Sequence, residues 1–439
     1  MPKGLITFWL AVLTGGVLDC ALAQEPAPPD LSQPLSLAQC LGLALDNHPS
    51  VKAAAAGVEA AQHRVTESKS SRFPSLDLTS NWSRFQSTRQ GFAIGSAGSS
   101  ENRETALSAS YLFLDSGQRK TVVRQAGANA GASVASLTST ERDTALAVVQ
   151  AYYSLLTAQK LKALRAKVVT SAEQHVAAAQ AGFDAGTTAK IDILRAQTEL
   201  ANAKVDVVAA DGAIQRAVAV LRNAMGMEAA VPLTILDQDK LPDPQLELTA
   251  AQQEALSKRP ELRQQDYGLA VAWETARSAK INAGPALSFT GGFDRYLDSS
   301  RDVTDEWVLR ATMSMPLFDG KQSRSRVESA KADLVARREQ RERERQSILL
   351  EVERGWISLN DAKARIGAAD AARAQADENL ALNEASYVAG VATMVEIIDA
   401  RSAAAQAETN QIQALYDHNL AVMQLRYALG RDLIEEEVR

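Results

Sequence analysis

The spacing of apolar residues changes several times along the chain, and each change marks a new kind of element. From Leu35 the pattern is helical: Leu37, Cys40, Leu41, Ala44 and Leu45 form one stripe, Asn47-His48-Pro49 interrupts it, and a second helix follows to about Arg72. At Pro74 the period falls to two. Leu76, Leu78 and Trp82 alternate with Asp77, Thr79, Asn81 and Ser83, and on the return Leu107, Ala109, Tyr111 and Phe113 alternate with Ser108 and Ser110, which predicts a hairpin with one apolar face. After Asp115-Ser116-Gly117 a helical pattern runs without proline to about Gly182, roughly 65 residues or about 100 Å at the rise of an α-helix. Its apolar positions, Leu146, Val149, Tyr153 and Leu156, then Leu161, Leu164 and Val168, have the three-and-four spacing of a coiled coil with one slip of register. A shorter helix of about 57 Å is expected from Thr188 to Met225. A linker rich in proline and aspartate and one further short helix, from about Thr249 to Ala283, come next. Two short helices end to end would match the long one.

The second half repeats the first. Leu287, Phe289 and Phe293 alternate with Ser288, Thr290 and Asp294, and Trp307, Leu309, Ala311, Met313 and Met315 alternate with Arg310, Thr312 and Ser314. A long helix is expected from about Lys321 to Ala385, and a shorter one to Leu429. The offset between the halves is 204 residues for three landmarks (115 to 319, 186 to 390, 226 to 430) and 211 for two earlier ones (49 to 260, 74 to 285). The first copy therefore carries an insertion between Pro74 and Asp115, in the Gly- and Ser-rich stretch QSTRQGFAIGSAGSSENR, and the chain is a tandem duplication of a domain.

The most telling repeat is AGFDAGTTAKIDILRAQTELA (Ala181 to Ala201), which returns as ASYVAGVATMVEIIDARSAAA (Ala385 to Ala405). In each, a helix reaches an aromatic residue (Phe183, Tyr387) and then Ala-Gly (Gly186, Gly390), and a carboxylate (Asp192, Glu396) opens the next helix. Glycine takes the left-handed conformation that ends a helix, and a first-turn carboxylate complements the macrodipole, so each stretch is a hairpin tip. The expected organisation is a signal segment (1–23), an extended proline-rich arm (24–34), a first repeat (35–226) with a strand hairpin at about 74–114 and a tip at about 183–192, and a linker (227–248). The second repeat (249–430) has its hairpin at about 285–317 and its tip at about 387–396, before a charged tail (431–439).

Composition sharpens this picture. Only 5% of residues are aromatic, and alanine supplies much of the 46% apolar content, which suits close-packed long helices. A formal net charge of −6 gives no electrostatic basis for binding nucleic acid. The run RREQRERERQ alternates in sign at helical spacing, as a solvated, self-neutralising face does. Lys3, the apolar run Leu5 to Leu18 and Ala21-Leu22-Ala23 read as an export signal, and Asp19 argues against lipid attachment at Cys20. Cleavage after Ala23 would leave Cys40 as the only cysteine, without an internal disulfide. His48, His63, His175 and His418 belong to no metal-binding or catalytic motif, His48 reads as a turn residue, and GTTAK at Gly186 lacks the spacing of a phosphate loop. No enzyme activity, metal or cofactor is expected, so any active transport must be driven by a partner.

Four strands of about ten residues have the length that crosses a bilayer when tilted. Four cannot close, and an open edge inside a bilayer leaves backbone groups unsatisfied, so the chain must oligomerise. Two copies would make eight strands and three would make twelve, the latter able to leave a lumen. The fold class is a mixed α and β membrane protein in which strand barrels continue into a tube of very long coiled-coil helices. A secreted coiled-coil adhesin would account for the helices but not the strands, and a passive porin for the strands but not the helices. Trp82, Phe293, Trp307 and Tyr296 are either interfacial aromatic belts or isolated surface aromatics.

The export signal, the openings LALDNHPSV and EALSKRPEL, the turns FLDSG and LFDG, and the two tips together make the chain resemble the TolC-like outer-membrane efflux protein family across the mature sequence. The resemblance implies a homotrimer with a twelve-stranded β-barrel and a trimeric α-barrel, in outer-membrane lipid and extending into the periplasm. It implies the exit duct of a tripartite efflux pump or type I secretion system, with Gly186, Thr187, Gly390 and Val391 at the tips that meet a periplasmic adaptor and, through it, an inner-membrane transporter. Glu396 and Asp399 are three apart and share a helix face; with Asp192 they either complement helix N-termini or line a pore constriction, and the resemblance favours the constriction for Glu396 and Asp399. Tyr387 is either a gate contact that bonds Asp192 or a packed tip aromatic.

Overall fold

The computed structural model describes residues 34–86, 99–186, 188–228, 233–238, 240–244, 246–297, 303–389 and 391–433. The expected export signal, nearly all of the proline-rich arm, most of the long loop of the first hairpin and the end of the charged tail lie outside the described residues. The elements are α1 (Leu37–Asn47), α2 (Pro49–Ser70), β1 (Ser75–Gln86), β2 (Ser99–Leu114), α3 (Gln118–Asp184), α4 (Lys190–Ala224), α5 (Leu248–Lys258) and α6 (Pro260–Ile281). They continue with β3 (Ala286–Leu297), β4 (Val303–Ser314), α7 (Gln322–Val388) and α8 (Met394–Ala428). Each half has helices of 11, 22, 67 and 35 residues in that order. The 67-residue helices are about 100 Å long.

One expectation is corrected. The single helix foreseen from Thr249 to Ala283 is two helices, α5 and α6, parted at Arg259. Pro260 forces this: the residue before a proline is driven to extended backbone, and Arg259 has φ −62° and ψ 123°, as His48 before Pro49 has φ −65° and ψ 126°. Proline then sits at the first helical position, where no amide hydrogen is needed. His48 serves the turn as well, because its Nδ1 accepts a hydrogen bond from the Ser50 amide at 3.2 Å. Each break is pressed by the glycine that closes a repeat. Gly226 (φ +69°) lies against His48 and Gly430 (φ +79°) against Lys258, so that an added Cβ would stand 2.8 Å from the His48 Cα or the Lys258 Cβ. Gly226→Ala and Gly430→Ala should each destabilise the fold by about 1–3 kcal/mol, through the left-handed backbone and the contact together, read as a lowered thermal midpoint.

Helix α3 packs on α2 and α6 near the sheet, and on α4 and α8 towards the tips, while α7 packs on α5, α6 and α8. The short helices thus run as two composite rods beside the long ones, α2 with α4 and α6 with α8. The largest core lies midway along α3, where Tyr152, Tyr153, Leu155 and Leu156 meet Leu37, Leu41, Leu221, Met225 and Met423. The linker is fastened over this core. Tyr152 donates to the Leu236 carbonyl (2.7 Å), Tyr153 to Gln238 (2.7 Å), the Leu241 amide to Asn419 (2.9 Å), and the His418 ring nitrogen bonds Asp243 (2.6 Å).

The strands form one antiparallel sheet in the order β1-β2-β3-β4, so the two halves join through β2 and β3. Directly paired residues share a face. One face carries Leu76, Leu78, Leu107, Tyr111, Phe289, Phe293, Trp307, Leu309 and Met313, and most of these apolar side chains are exposed in a single chain. The opposite face carries Asp77, Asn81, Glu104, Ser108, Thr290, Asp294, Glu306 and Arg310. Phe293 and Trp307 are cross-strand partners on the apolar face, and Trp82 lies there too, nearer the hairpin turns. Tyr296 is the exception among the four expected belt aromatics: it pairs with Glu104 and Thr304 on the polar face. Strands β1 and β4 each keep one free edge.

Candidate functional site

The two tips lie at the ends of the long helices remote from the sheet. At the first, α3 ends through Gly186 in the left-handed conformation (φ +77°), whose amide donates to the Phe183 carbonyl at 2.9 Å. Thr188 then anchors the turn, its hydroxyl donating to the Ala179 carbonyl (3.1 Å). At the second, the amides of Val391 and Ala392 both donate to the Ser386 carbonyl, at 2.9 and 3.2 Å. Val391 is 81% exposed at the apex. The other two expected apex residues, Thr187 and Gly390, lie outside the described residues.

The expected constriction residues differ in environment. Glu396 is exposed and turned back on its own helix end: the Thr393 amide donates to its carboxylate at 2.6 Å, and its amide donates to the Thr393 hydroxyl at 3.4 Å, a reciprocal cap. Asp399 is exposed and makes no hydrogen bond or ion pair among the described residues. Asp192 is half-buried, with its carboxylate 3.6 Å from Arg195 on the same helix. Tyr387 packs with Ala179, Ile193, Ala196 and Met394, a small core that joins both tips. Among the described residues of one chain, no hydrogen bond links its hydroxyl to Asp192.

A second cluster stands above the tips, where α3 meets α8. Arg401 of α8 donates to the Ser171 hydroxyl of α3 at 2.6 Å and to the Glu384 carboxylate of α7 at 2.7 Å. Its Nε, the Nδ1 of His175 on α3 and the Oε2 of Glu199 on α4 are buried without a hydrogen-bond partner among the described residues. Four helices thus meet at one incompletely satisfied polar node. Burial, aided by the charge of Arg401, lowers the His175 pKa from 6.5 to about 4, so the ring is neutral at neutral pH. Burial raises the Glu199 carboxyl above the ordinary range, with Arg401 working against it.

The pH dependence follows from the direction of the His175 shift. An unfolded or opened chain takes up the proton near pH 6.5 and the packed one only near pH 4, so this contribution to the seam is complete above 6.5 and lost as the pH falls towards 4. Arg401 from α8 and Glu384 from α7 are the charged groups that act on it, and Arg401 acts in turn on Glu199 of α4. His175→Gln should flatten the thermal midpoint against pH across that interval.

Sequence reasoning passed over this node, because Ser171, His175, Glu199, Glu384 and Arg401 belong to no motif. One signal was available. Arg401 is the first basic residue after the second tip, within the alanine-rich stretch ARSAAAQA, where a long cation needs a reason.

Around these helices runs a groove of about 810 Å³ reaching residues of all four, among them Val168, Leu194, Asn202, Leu380, Ile398 and Arg401.

Comparison with known proteins agrees with this architecture. A family model described as outer membrane efflux protein matches residues 40–227 and 251–431, one stretch for each half. Outer membrane protein TolC of Vibrio cholerae is 27% identical over 420 residues, covering 92% of either chain. Protein CyaE of Bordetella pertussis is 26% identical, covering 93% of this chain and 88% of its own. Among solved structures, CusC, described in connection with transmembrane channel formation, superposes with a TM-score of 0.79 at 17% identity, over 90% of this chain and 92% of the other.

Proposed function

The chain belongs to the outer membrane efflux protein family and is an outer-membrane efflux channel, and we propose that three copies close into one duct that carries substrates from a periplasmic partner to the cell exterior. One observation carries this reading: a four-stranded sheet with one apolar face and two free edges continues into helices long enough to cross a periplasmic space. In a bilayer the free edges of β1 and β4 must be satisfied, and β4 of one copy against β1 of the next does so while adding four strands per copy. Three copies give twelve strands and a lumen lined by the polar face.

The flanks of the helix layer support the same closure. Helix α4 exposes Val205, Val208 and Val220, and α7 exposes Val335, Leu350, Ile357 and Leu382. Phe73, beside the edge strand β1, and Leu317 with Phe318, beyond the edge strand β4, are largely exposed in one chain, and a neighbouring copy brings these two groups together. The apolar area left open is a partner's footprint.

At the far end the three pairs of tips form the mouth. Asp399, without a hydrogen bond or ion pair among the described residues, is the principal constriction carboxylate, with Glu396 behind it and Asp192 beside the first tip. Three like charges near one axis repel, so packing around Tyr387 and the Arg401 node hold the mouth narrow while the carboxylates attract cations. A Tyr387 contact to Asp192 across neighbouring hairpins would add to the hold. The apex residues Gly186, Thr187, Gly390 and Val391 face a periplasmic adaptor, which links the duct to an energised inner-membrane transporter. In this orientation the turn end of the first hairpin, between the end of β1 at Gln86 and the start of β2 at Ser99, faces outward. A tag inserted near Gly98 should be labelled on intact cells; labelling only after the outer membrane is permeabilised would reverse the orientation.

A further inference from the structure

Where the helices meet the sheet, the exposed surface carries a cluster of basic residues. Lys69 is the penultimate residue of α2, Lys280 the penultimate residue of α6, and Lys120 and Arg324 the third residues of α3 and α7. Arg277 lies one turn below Lys280, its guanidinium 5.7 Å over the ring of Trp273, which is half exposed. These five cations are exposed and form no ion pair among the described residues. Of the carboxylates near the junction, Asp115 accepts from Arg119 (2.9 Å), Asp319 from the Ser323 amide (2.8 Å) and Glu274 from Arg124 (3.2 Å), while Glu67 lines a groove between α2, α3 and α6.

Helical geometry places several of them on one side of the layer. The groove between α2, α3 and α6 is also lined by Asn129 and Gln264. Asn129 is nine residues from Lys120 and Gln264 nine from Trp273, half a turn around at about 100° per residue. Trp273, Arg277 and Lys280, spaced by four and three, share the side opposite the groove. All six residues lie within about 12 Å of the helix–sheet junction, beside the lower rows of the apolar sheet face.

We propose that Lys69, Lys120, Arg277, Lys280 and Arg324, with Trp273, form a collar that binds the phosphate-bearing headgroups of anionic phospholipids in the bilayer leaflet next to the helices. The proposal rests on the reading that the sheet spans the outer membrane. Long basic side chains laid along a helix reach up to the headgroups, and an exposed tryptophan suits the interface where one end of the ring is apolar and the other wet. Three copies repeat the collar around the barrel, so the lipid annulus on this side is enriched in negative charge and the channel is held at a fixed depth.

The test uses the full-length protein reconstituted in phosphatidylcholine bilayers with trace spin-labelled phosphatidylglycerol or phosphatidylcholine. The wild type should immobilise the anionic probe several-fold more strongly, on the order of fivefold, since that is the contribution of a single cation near an anionic surface. The preference should fall towards unity in about 1 M salt, where the screening length is about 3 Å, and in the variant Lys120→Gln/Arg277→Gln/Lys280→Gln/Arg324→Gln. An equal response to both probes in the wild type, or a preference that survives salt and substitution, overturns the collar. The immobilised phosphatidylcholine signal separates the two readings: its persistence without an anionic preference defeats the collar alone, whereas its absence defeats the membrane-spanning sheet and the collar with it.

Discussion

Replacing Leu309 by lysine should all but remove the protein from the outer membrane, while the same replacement at Val308 should leave it there. The two residues are neighbours in β4 and face opposite ways. Leu309 sits at mid-strand opposite Gly291 on the apolar face and is 76% exposed in a single chain, so its side chain meets lipid. Val308 lies opposite Gly292, in a row that continues through Ser108 to Asp77, so a lysine there enters the polar lumen. A lysine facing lipid at the bilayer midplane costs about 2–4 kcal/mol, and the proposed trimer would carry it three times. The amount of heat-modifiable trimer in isolated outer membranes should therefore fall by more than about tenfold for Leu309→Lys and stay near wild type for Val308→Lys. The reverse pattern would exchange the lipid and lumen faces of the sheet.

The second large effect is expected at the tips. Removing both carboxylates in Glu396→Ala/Asp399→Ala should leave assembly intact, lower cation selectivity, and raise the divalent concentration needed for half block of single channels by about tenfold or more. The two residues should not contribute equally. Glu396 already satisfies the Thr393 amide at its own helix end, whereas Asp399 is unpartnered among the described residues. Asp399→Asn should then reproduce most of the change, and Glu396→Gln rather less, with the helix cap retained because a glutamine oxygen still accepts from the Thr393 amide. Unchanged block and selectivity in the double variant would return both residues to helix-start duty and move the constriction elsewhere in the tube.

The duplication, the paired long helices and the alternating strands were legible because each rests on a periodicity that survives without coordinates. What escaped was whatever depends on which elements become neighbours. The alternation in β3 says that Tyr296 and Phe293 point to opposite faces, but the aromatic character of Tyr296 outweighed its parity until pairing with Glu104 fixed its side. Pro260 breaks its helix as Pro49 does, and the second break was overlooked because helical apolar spacing continues on both sides of it. Gly186 was assigned its left-handed turn correctly, since that requirement is local. The Arg401 node needs four helices brought to one height, and residues as far apart in sequence as Ser171 and Arg401 carry no mark of it.

Everything above the single chain turns on the closure of β4 against β1 and of α7 against the composite rod of the next copy. Native mass spectrometry of the full-length protein released from a mild detergent tests this most directly. A mass of three chains, with dissociation to single chains only on unfolding, is the expected result. A monodisperse, water-soluble monomer would contradict the closed duct, because the apolar face and both free edges of its sheet would then have to be stable in water.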